Sequence, residues 1–137
     1  MSCIFCRIVA GDIPAEIVAK DEHAVAFLDI APLADGHTVI VPRAHVATIE
    51  EMAPDDARGL FQTVARLAGP VRKAVGGAGN TIGINDGAAT GQTIPHVHVH
   101  IVPRRSDDGA GSVHTIFRAG PRRAVAEVGK EIRKAIG

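Results

Sequence analysis

The stretch that decides the fold is His96-Val97-His98-Val99-His100-Ile101-Val102, in which histidine and an aliphatic residue alternate. In a β-strand successive side chains point to opposite faces, so the three imidazoles would share one face at intervals of about 6.6 Å. The aliphatic side chains would point to the other face. We therefore predict a strand from about residue 94 to residue 102 with three titratable rings on one surface.

The segment directly before this strand, residues 85–93, has the composition of a ligand-binding turn. Its glycines, Gly87 and Gly91, allow the main chain to come close to a ligand. Its neutral hydrogen-bond donors, Asn85, Gln92 and Thr93, suit the oxygens of a phosphate. A glycine-rich turn alone is weak evidence, but its position before the histidine row strengthens it.

Three interpretations of the histidine row are open on these residues. The first is a half-exposed strand with incidental polar residues, although three alternating imidazoles are costly unless something uses them. The second is a catalytic zinc or iron site with three histidine ligands. The third is nucleophilic catalysis, in which a neutral imidazole attacks phosphorus and water later displaces it. The turn at residues 85–93 favours the third.

Hydrophobic periodicity predicts the remaining elements. They are a short helix over residues 3–10, strands near residues 17–20, 24–30, 37–42 and 80–85, a main helix from Pro54 to the glycines at 76 and 77, and a C-terminal helix from Pro121. Pro70 should kink or split the main helix because proline removes a main-chain donor and crowds the preceding turn. Residues 106–120 are expected to form a loop.

The whole chain restricts the class of protein. With 137 residues, 46% of them hydrophobic, it is predicted to form one domain, residues 1–137. Apolar stretches fall short of the roughly 20 residues that cross a bilayer, and the N-terminus lacks a signal pattern, so we expect a soluble, cytoplasmic protein without a membrane partner. Fifteen basic and fifteen acidic residues cancel, which argues against a long nucleic acid as partner.

At this point the sequence resembles the histidine triad (HIT) superfamily, whose signature is His-x-His-x-His followed by two apolar residues. Five further segments resemble family segments and stand in the family's order: residues 3–8 (CIFCRI), 27–30 (FLDI), 36–45 (GHTVIVPRAH), 85–87 (NDG) and 91–93 (GQT). The resemblance covers residues 3 to about 105 and is closest to the zinc-containing, Hint-like branch of nucleotide hydrolases. Residues 106–137 form a C-terminal extension without a family motif.

The resemblance implies a fold and an activity. The fold would be α+β, with a five-stranded antiparallel sheet, one main helix and short terminal helices, in a homodimer whose protomers join their sheets. The activity would be that of a nucleotidyl hydrolase or transferase acting on the α-phosphate of a nucleoside phosphoramidate or dinucleoside polyphosphate. A covalent nucleotidyl-histidine intermediate would release a nucleoside monophosphate, with AMP the expected product, and no organic cofactor is needed. Two alternatives stay open: a metal-dependent hydrolase with the three histidines as ligands, and a nucleotide-binding or interaction module without physiological turnover.

The resemblance also assigns roles to individual residues. His98 would be the nucleophile, His100 would hydrogen-bond the phosphate or assist the leaving group, and Gln92 would help to hold the oxygens as charge builds. Asp29 matches the carboxylate that binds the ribose. The full nucleotide-binding set is Phe5, Ile8, Phe27, Asp29, Asn85, Gly91, Gln92, Thr93, His98 and His100.

The two cysteines indicate a second site. Cys3 and Cys6 are too close to staple the fold, and in a chain without an export signal their spacing indicates metal binding or redox chemistry. By resemblance they would join His45 and His96 in a structural zinc site, one per chain, which leaves His98 free of metal. A redox pair and two idle thiols are the alternatives.

Three histidines have no assigned part in this scheme. For His37, a partner behind the site and a residue at the start of a strand are equally consistent with the sequence. His23 and His114 are expected at the surface.

Overall fold

The computed structural model describes residues 3–137 and contains a single five-stranded sheet with three α-helices. The helices and strands are α1 (Ile4–Ala10), β1 (Ile17–Lys20), β2 (Ala24–Leu28), β3 (Thr38–Pro42), α2 (Pro54–Ala74), β4 (Gly79–Gly83), β5 (Val99–Arg104) and α3 (Val125–Ile136). The strands are ordered β1-β2-β3-β5-β4, and every neighbouring pair is antiparallel. The predicted α+β fold with a five-stranded antiparallel sheet is confirmed.

The two faces of the sheet carry separate apolar clusters, one under each of two helices. Helix α2 covers one face, where Leu60 and Val64 pack against alternate residues of the strands, including Val99 and Ile101. On the other face the ring of Phe5 from α1 packs among residues of β2 and β3, and these are Val25, Phe27, Val39 and Val41. The rings of His96 and His98 pack against Phe5 on the α1 side, whereas Val97 and Val99 belong to the cluster under α2.

Helix α2 begins and ends where the sequence predicts. Pro54 occupies its first turn together with two acidic residues, and Arg72 and Lys73 lie in its last turn, which suits the helix dipole. Of the predicted kink or split at Pro70, the split is not observed: one helix of 21 residues runs through this position. Close to Pro70, the side-chain amide of Asn80 in β4 donates to the carbonyl of Ala68 at 2.9 Å and ties this turn of the helix to the sheet.

The strand that carries the histidines is shorter than predicted. Strand β5 begins at Val99, so that only His100 of the three histidines lies in the paired strand. Two features end the ladder before this point. Pro95 has no N–H to donate, and the carbonyl of Pro42 in β3 accepts from the imidazole of His96 rather than from a main-chain amide. Residues before Val99 still run alongside other segments, since the N–H of Val97 donates to Val46.

The C-terminal extension also differs in detail from the prediction. The last helix begins at Val125 rather than at Pro121, and the predicted loop contains a short 3-10 helix over Val113–Ile116. The extension leaves the sheet at Arg104, whose guanidinium binds Asp108 and the carbonyls of Ala110 and Gly111. Among the described residues, no helix is both long and apolar enough to cross a membrane.

Candidate active site

A cavity of about 380 Å³ opens between α1, the end of β2 and the segment that leads into β5. This volume lies in the range of small-molecule sites. Nine of the ten residues predicted to bind a nucleotide line it, and these are Phe5, Ile8, Phe27, Asp29, Asn85, Gly91, Thr93, His98 and His100. The structure thus brings together residues from four separate segments of the sequence, whereas the tenth, Gln92, lies outside the cavity.

Five residues of the cavity wall were not predicted from the sequence, and these are Ile13, Pro14, Ala15, Val39 and Ile94. Three of them follow α1 in a stretch without periodicity, so no pattern in the sequence marks them. Val39 could have been found, because it pairs with both Phe27 and His100 across the sheet and must share their face.

One ring nitrogen of His98 is hydrogen-bonded to the main chain two residues earlier. Its Nδ1 lies 2.7 Å from the carbonyl oxygen of His96. A carbonyl oxygen only accepts hydrogen bonds, so Nδ1 carries the proton of the neutral ring and Nε2 keeps a free lone pair. The edge of the ring of Phe5 packs against the imidazole, with centroids 5.0 Å apart, and leaves only 8% of His98 exposed. Such a ring is oriented for attack through Nε2.

The ring of His100 lies beside that of His98, with centroids 5.0 Å apart. Burial, aided by the neighbouring rings of His98 and His37 and opposed by Asp29, lowers the pKa of His100 from 6.5 to about 4. At physiological pH this imidazole is therefore neutral, with one nitrogen to donate and one to accept.

The side chain of Gln92 is engaged with the main chain of three segments. Its Nε2 donates to the carbonyls of Ala47 and Ile94, at 2.8 and 3.1 Å, and its Oε1 accepts from the N–H of Gly87 at 2.8 Å. These bonds close the turn before the histidines and tie it to the segment after β3. Both N–H groups of the amide are thus used within the protein. For Gln92 to bind a phosphate oxygen as predicted, its side chain would have to break one of these two hydrogen bonds.

The turn before the histidines has the glycine geometry that its sequence suggests. Gly87 and Gly91 have φ values of 101° and 96°, in the region that side chains avoid. The carboxylate of Asp86 accepts from the N–H of Ile49 at 2.8 Å and fixes this turn from the other side. Across the cavity, Asp29 ends β2: its Oδ1 accepts from the N–H of Ala31 at 2.9 Å, which explains why the strand stops two residues before the predicted end.

The second predicted group, Cys3, Cys6, His45 and His96, is a cluster of four ligand atoms that all lie within 4.8 Å of one another. The Nδ1 atoms of His45 and His96 are 3.2 Å apart. The sulfur of Cys6 lies 3.2 and 3.5 Å from these two nitrogens, and the sulfur of Cys3 lies 3.6 Å from Nδ1 of His96. Tetrahedral zinc requires about 3.3 Å between two nitrogen ligands and about 3.6 Å between nitrogen and sulfur. The spacing of the cluster therefore fits a metal ion of this kind.

The protonation of the cluster also fits a metal. His96 donates from Nε2 to the carbonyl of Pro42 at 2.8 Å, so its Nδ1 lone pair faces the cysteines. Burial lowers the pKa of His96 and favours the neutral, ligating form. Burial and then the adjacent Cys3 raise the pKa of the Cys6 thiol, a shift that a bound cation would reverse. These four residues could hold a metal ion.

The two histidines expected at the surface lie away from the cavity. The ring of His23 packs closely against Gly59 of α2. His114 lies in the C-terminal extension, beside the hydroxyl of Ser112.

Comparison with known proteins identifies the family. The HIT domain model matches residues 10–107, and the chain belongs to this family. The chain is 35% identical over 137 residues to the adenosine 5'-monophosphoramidase hnt1 of Schizosaccharomyces pombe, covering 99% of each chain. It is 36% identical over 106 residues, 77% of its length, to adenylylsulfatase HINT3 of Arabidopsis thaliana, and spans 54% of that protein. Among solved structures, a Zn-bound histidine triad family protein from Mycobacterium smegmatis matches with a TM-score of 0.76 and 39% identity, over 98% of this chain and 93% of that one.

Proposed function

We propose that this protein is a nucleotidyl hydrolase or transferase that cleaves a nucleoside phosphoramidate or dinucleoside polyphosphate at its α-phosphate. The observation that carries the proposal is the hydrogen bond from His98 Nδ1 to its neighbour's carbonyl, which leaves Nε2 free at a cavity of nucleotide size. The names of two relatives, a monophosphoramidase and an adenylylsulfatase, support adenosine as the nucleoside and AMP as the product.

The reaction would proceed in two displacements at phosphorus. His98 Nε2 forms a bond to the α-phosphorus while the bond from phosphorus to the leaving amine or phosphate oxygen breaks, and the leaving group departs with that electron pair. The imidazole then carries positive charge, which the carbonyl of His96 stabilises through the Nδ1 proton. In the second displacement the oxygen of water bonds to phosphorus while the bond from phosphorus to Nε2 breaks, its electron pair returns to Nε2, and water releases a proton to solvent, which regenerates neutral His98.

The other residues of the cavity would bind the nucleotide around this centre. His100 donates a hydrogen bond to the phosphoryl group or the leaving atom, and Asn85 and Thr93 offer donors on the same side of the cavity. Asp29 accepts from the ribose hydroxyls. The base would lie in the apolar part of the cavity, against Ile8 and the packed pair of rings Phe5 and Phe27, where side chains supply contact area rather than hydrogen bonds.

We propose zinc as the metal of the second cluster, held by Cys3, Cys6, His45 and His96. When bound, zinc would supply a covalent link between α1 and the chain before β5 without entering the reaction. The side chain of Phe5 lies between the two cysteines in sequence and contacts the rings of both His96 and His98. By fixing α1, the metal would therefore hold one wall of the cavity in a constant position relative to the nucleophile, His98.

The homodimer stays a prediction. Two sheets can join only through edge strands, and β1 and β4 are the two edges of the described sheet. Sedimentation of the purified protein would show whether two chains associate.

Replacement of His98 tests the chemistry. His98→Asn should abolish release of AMP from an adenosine phosphoramidate while AMP affinity changes little, because the cavity keeps its other walls. Wild-type reactions quenched in base should contain nucleotide bound to the protein, in a linkage that acid removes. The control is His114→Asn, because His114 does not line the cavity, and this variant should retain full activity. Turnover in His98→Asn would exclude this mechanism, and tight binding without turnover on any phosphoramidate or dinucleotide would favour the binding module.

Metal analysis tests the second site. Purified protein should contain about one zinc per chain, and the double variant Cys3→Ser, Cys6→Ser should contain none. If the metal persists in that variant and disappears in His98→Asn, the histidine row itself holds it, and the metal-dependent hydrolase becomes the better hypothesis.

A further inference from the structure

His37 is a buried histidine that the proposed reaction does not use. It directly precedes β3, is only 3% exposed and does not line the nucleotide cavity. Its Nε2 lies 2.8 Å from Nδ1 of His100, which does line the cavity. On the other side of the ring, Nδ1 lies 3.1 Å from the main-chain nitrogen of Leu33. The ring thus connects a main-chain amide to a residue of the candidate active site.

The direction of these two hydrogen bonds follows from the amide. A main-chain N–H can only donate, so Nδ1 of His37 accepts from Leu33 and holds no proton in the neutral ring. Burial lowers the pKa of His37, so the ring is neutral at physiological pH and its single proton lies on Nε2. That proton points at Nδ1 of His100, which must accept it. His100, also neutral, then carries its own proton on Nε2.

Two other arrangements of these groups are less consistent with the distances. Asp29 could accept the same proton of His37, but its Oδ2 lies 3.7 Å from Nε2, well beyond the 2.8 Å of His100. A metal ion could bind Asp29, His37 and His100 together, since their ligand atoms cluster. Two nitrogens on one tetrahedral zinc ion stand about 3.3 Å apart, however, and the observed 2.8 Å is a hydrogen-bond length.

We propose that His37 is a positioning residue which, together with the main-chain N–H of Leu33, holds His100 with its Nε2–H directed at the substrate. The proposal rests on the proposed function for the role of His100. It explains why neighbouring histidines on one surface act differently: the carbonyl of His96 gives His98 a free Nε2 lone pair, whereas the amide of Leu33, relayed by His37, gives His100 an Nε2–H. One ring offers an electron pair and the other offers a donor.

The first arm of the test is spectroscopic and needs no substrate. In protein with ¹⁵N-labelled histidine at neutral pH, long-range ¹H–¹⁵N correlations should show His37 and His100 both protonated on Nε2. A ¹⁵N–¹⁵N coupling through the hydrogen bond should join Nε2 of His37 to Nδ1 of His100. A proton on Nδ1 of either ring would overturn the proposal. Because this arm uses the wild-type protein, it decides the matter even if variants of a buried residue fail to fold.

The second arm is kinetic and uses variants that differ in one property. His37→Leu removes the donor and should lower kcat about 10- to 100-fold, the usual effect of a misplaced catalytic group, with little change in KM. His37→Gln retains an N–H for His100 and should recover most of kcat. His23→Gln, outside the cavity, is the control and should match the wild type. Equal kcat values in all variants, or no recovery in a folded His37→Gln protein, would refute the role.

The two arms separate this proposal from the proposed function. A protein with the expected proton positions but no turnover on any nucleotide would contradict the proposed function and leave the hydrogen-bond relay established. A protein that turns over phosphoramidates with His100 protonated on Nδ1 would contradict the relay alone.

Discussion

Asp29→Asn should weaken nucleotide binding without disturbing the local turn. Oδ1 of Asp29 accepts from the N–H of Ala31, and asparagine keeps an oxygen for that bond. Asp29 lines the cavity in which we place the ribose. Its second carboxylate oxygen lies 3.7 Å from Nε2 of His37 and becomes an NH₂ group in the variant. The substitution therefore removes a charged acceptor from the cavity and keeps the main-chain hydrogen bond of the turn, although it also removes the negative charge that opposes the lowered pKa of His37 and His100.

The size of the effect follows from the bonds that are lost. A hydrogen bond from a ribose hydroxyl to a charged acceptor contributes about 1.5 to 3 kcal/mol. Since about 1.4 kcal/mol corresponds to a factor of ten in affinity, the Kd for AMP should rise about 10- to 150-fold. The kcat of the variant should change much less, because Asp29 does not contact the phosphorus in the proposed arrangement.

Isothermal titration with AMP and its 2'-deoxy and 3'-deoxy analogues would measure this. The wild type should bind the deoxy analogues more weakly than AMP, and Asp29→Asn should bind all three alike. Asp35→Asn is the matched control, because it removes the same charge from an exposed residue outside the nucleotide cavity. If Asp29→Asn binds AMP within about twofold of the wild type, or still distinguishes the deoxy analogues, the reasoning is wrong.

Two further predictions concern stability. A methyl group at Gly59 would lie 2.2 Å from the ring of His23, so Gly59→Ala should lower the free energy of unfolding by about 1 to 3 kcal/mol. In the same helix, a methyl group at Gly69 meets nothing within 4 Å, so Gly69→Ala should raise the free energy of unfolding slightly. Urea unfolding of both variants measures the two effects, and equal changes in the free energy of unfolding would contradict the prediction. The pKa of His100 falls from 6.5 to about 4 on folding, so its contribution to stability is complete above about pH 6.5 and is lost as the pH falls towards 4. His100→Gln should accordingly lose less Tm than the wild type between pH 7 and pH 4.5 in scanning calorimetry, and parallel losses would speak against the shift.

The sheet and the main helix could be predicted because their signals are local. Continuous apolar runs mark β2 and β3 within one or two residues of their bounds, and the proline and acidic residues at the start of α2 mark its beginning. Pro70 does not split α2, because a proline inside a helix removes only one main-chain hydrogen bond and the rest of the helix packs on the sheet.

Other features depend on contacts that no local pattern records. The strand at the histidines starts late because an imidazole, not an amide, binds the carbonyl of Pro42. Gln92 has the sequence position of a phosphate ligand, yet its amide closes a turn by binding Ala47, 45 residues away. The wall of the cavity formed by residues 13–15 lies in an irregular segment after α1. Each depends on which groups the folded chain brings within hydrogen-bond or van der Waals distance.

The row His96, His98 and His100 shows which properties the sequence predicts and which only the tertiary structure decides. Its alternation, together with the glycine-rich turn before it, predicts from the sequence that three imidazoles share one face beside a ligand site. Which nitrogen of each ring carries the proton is decided only by the tertiary structure. The deciding groups are the carbonyl of His96, for His98, and the amide of Leu33, which acts on His100 through His37, 63 residues away from it in the chain. A neutral imidazole has two nearly equivalent tautomers, so its surroundings, and not its place in the sequence, determine whether it attacks or donates.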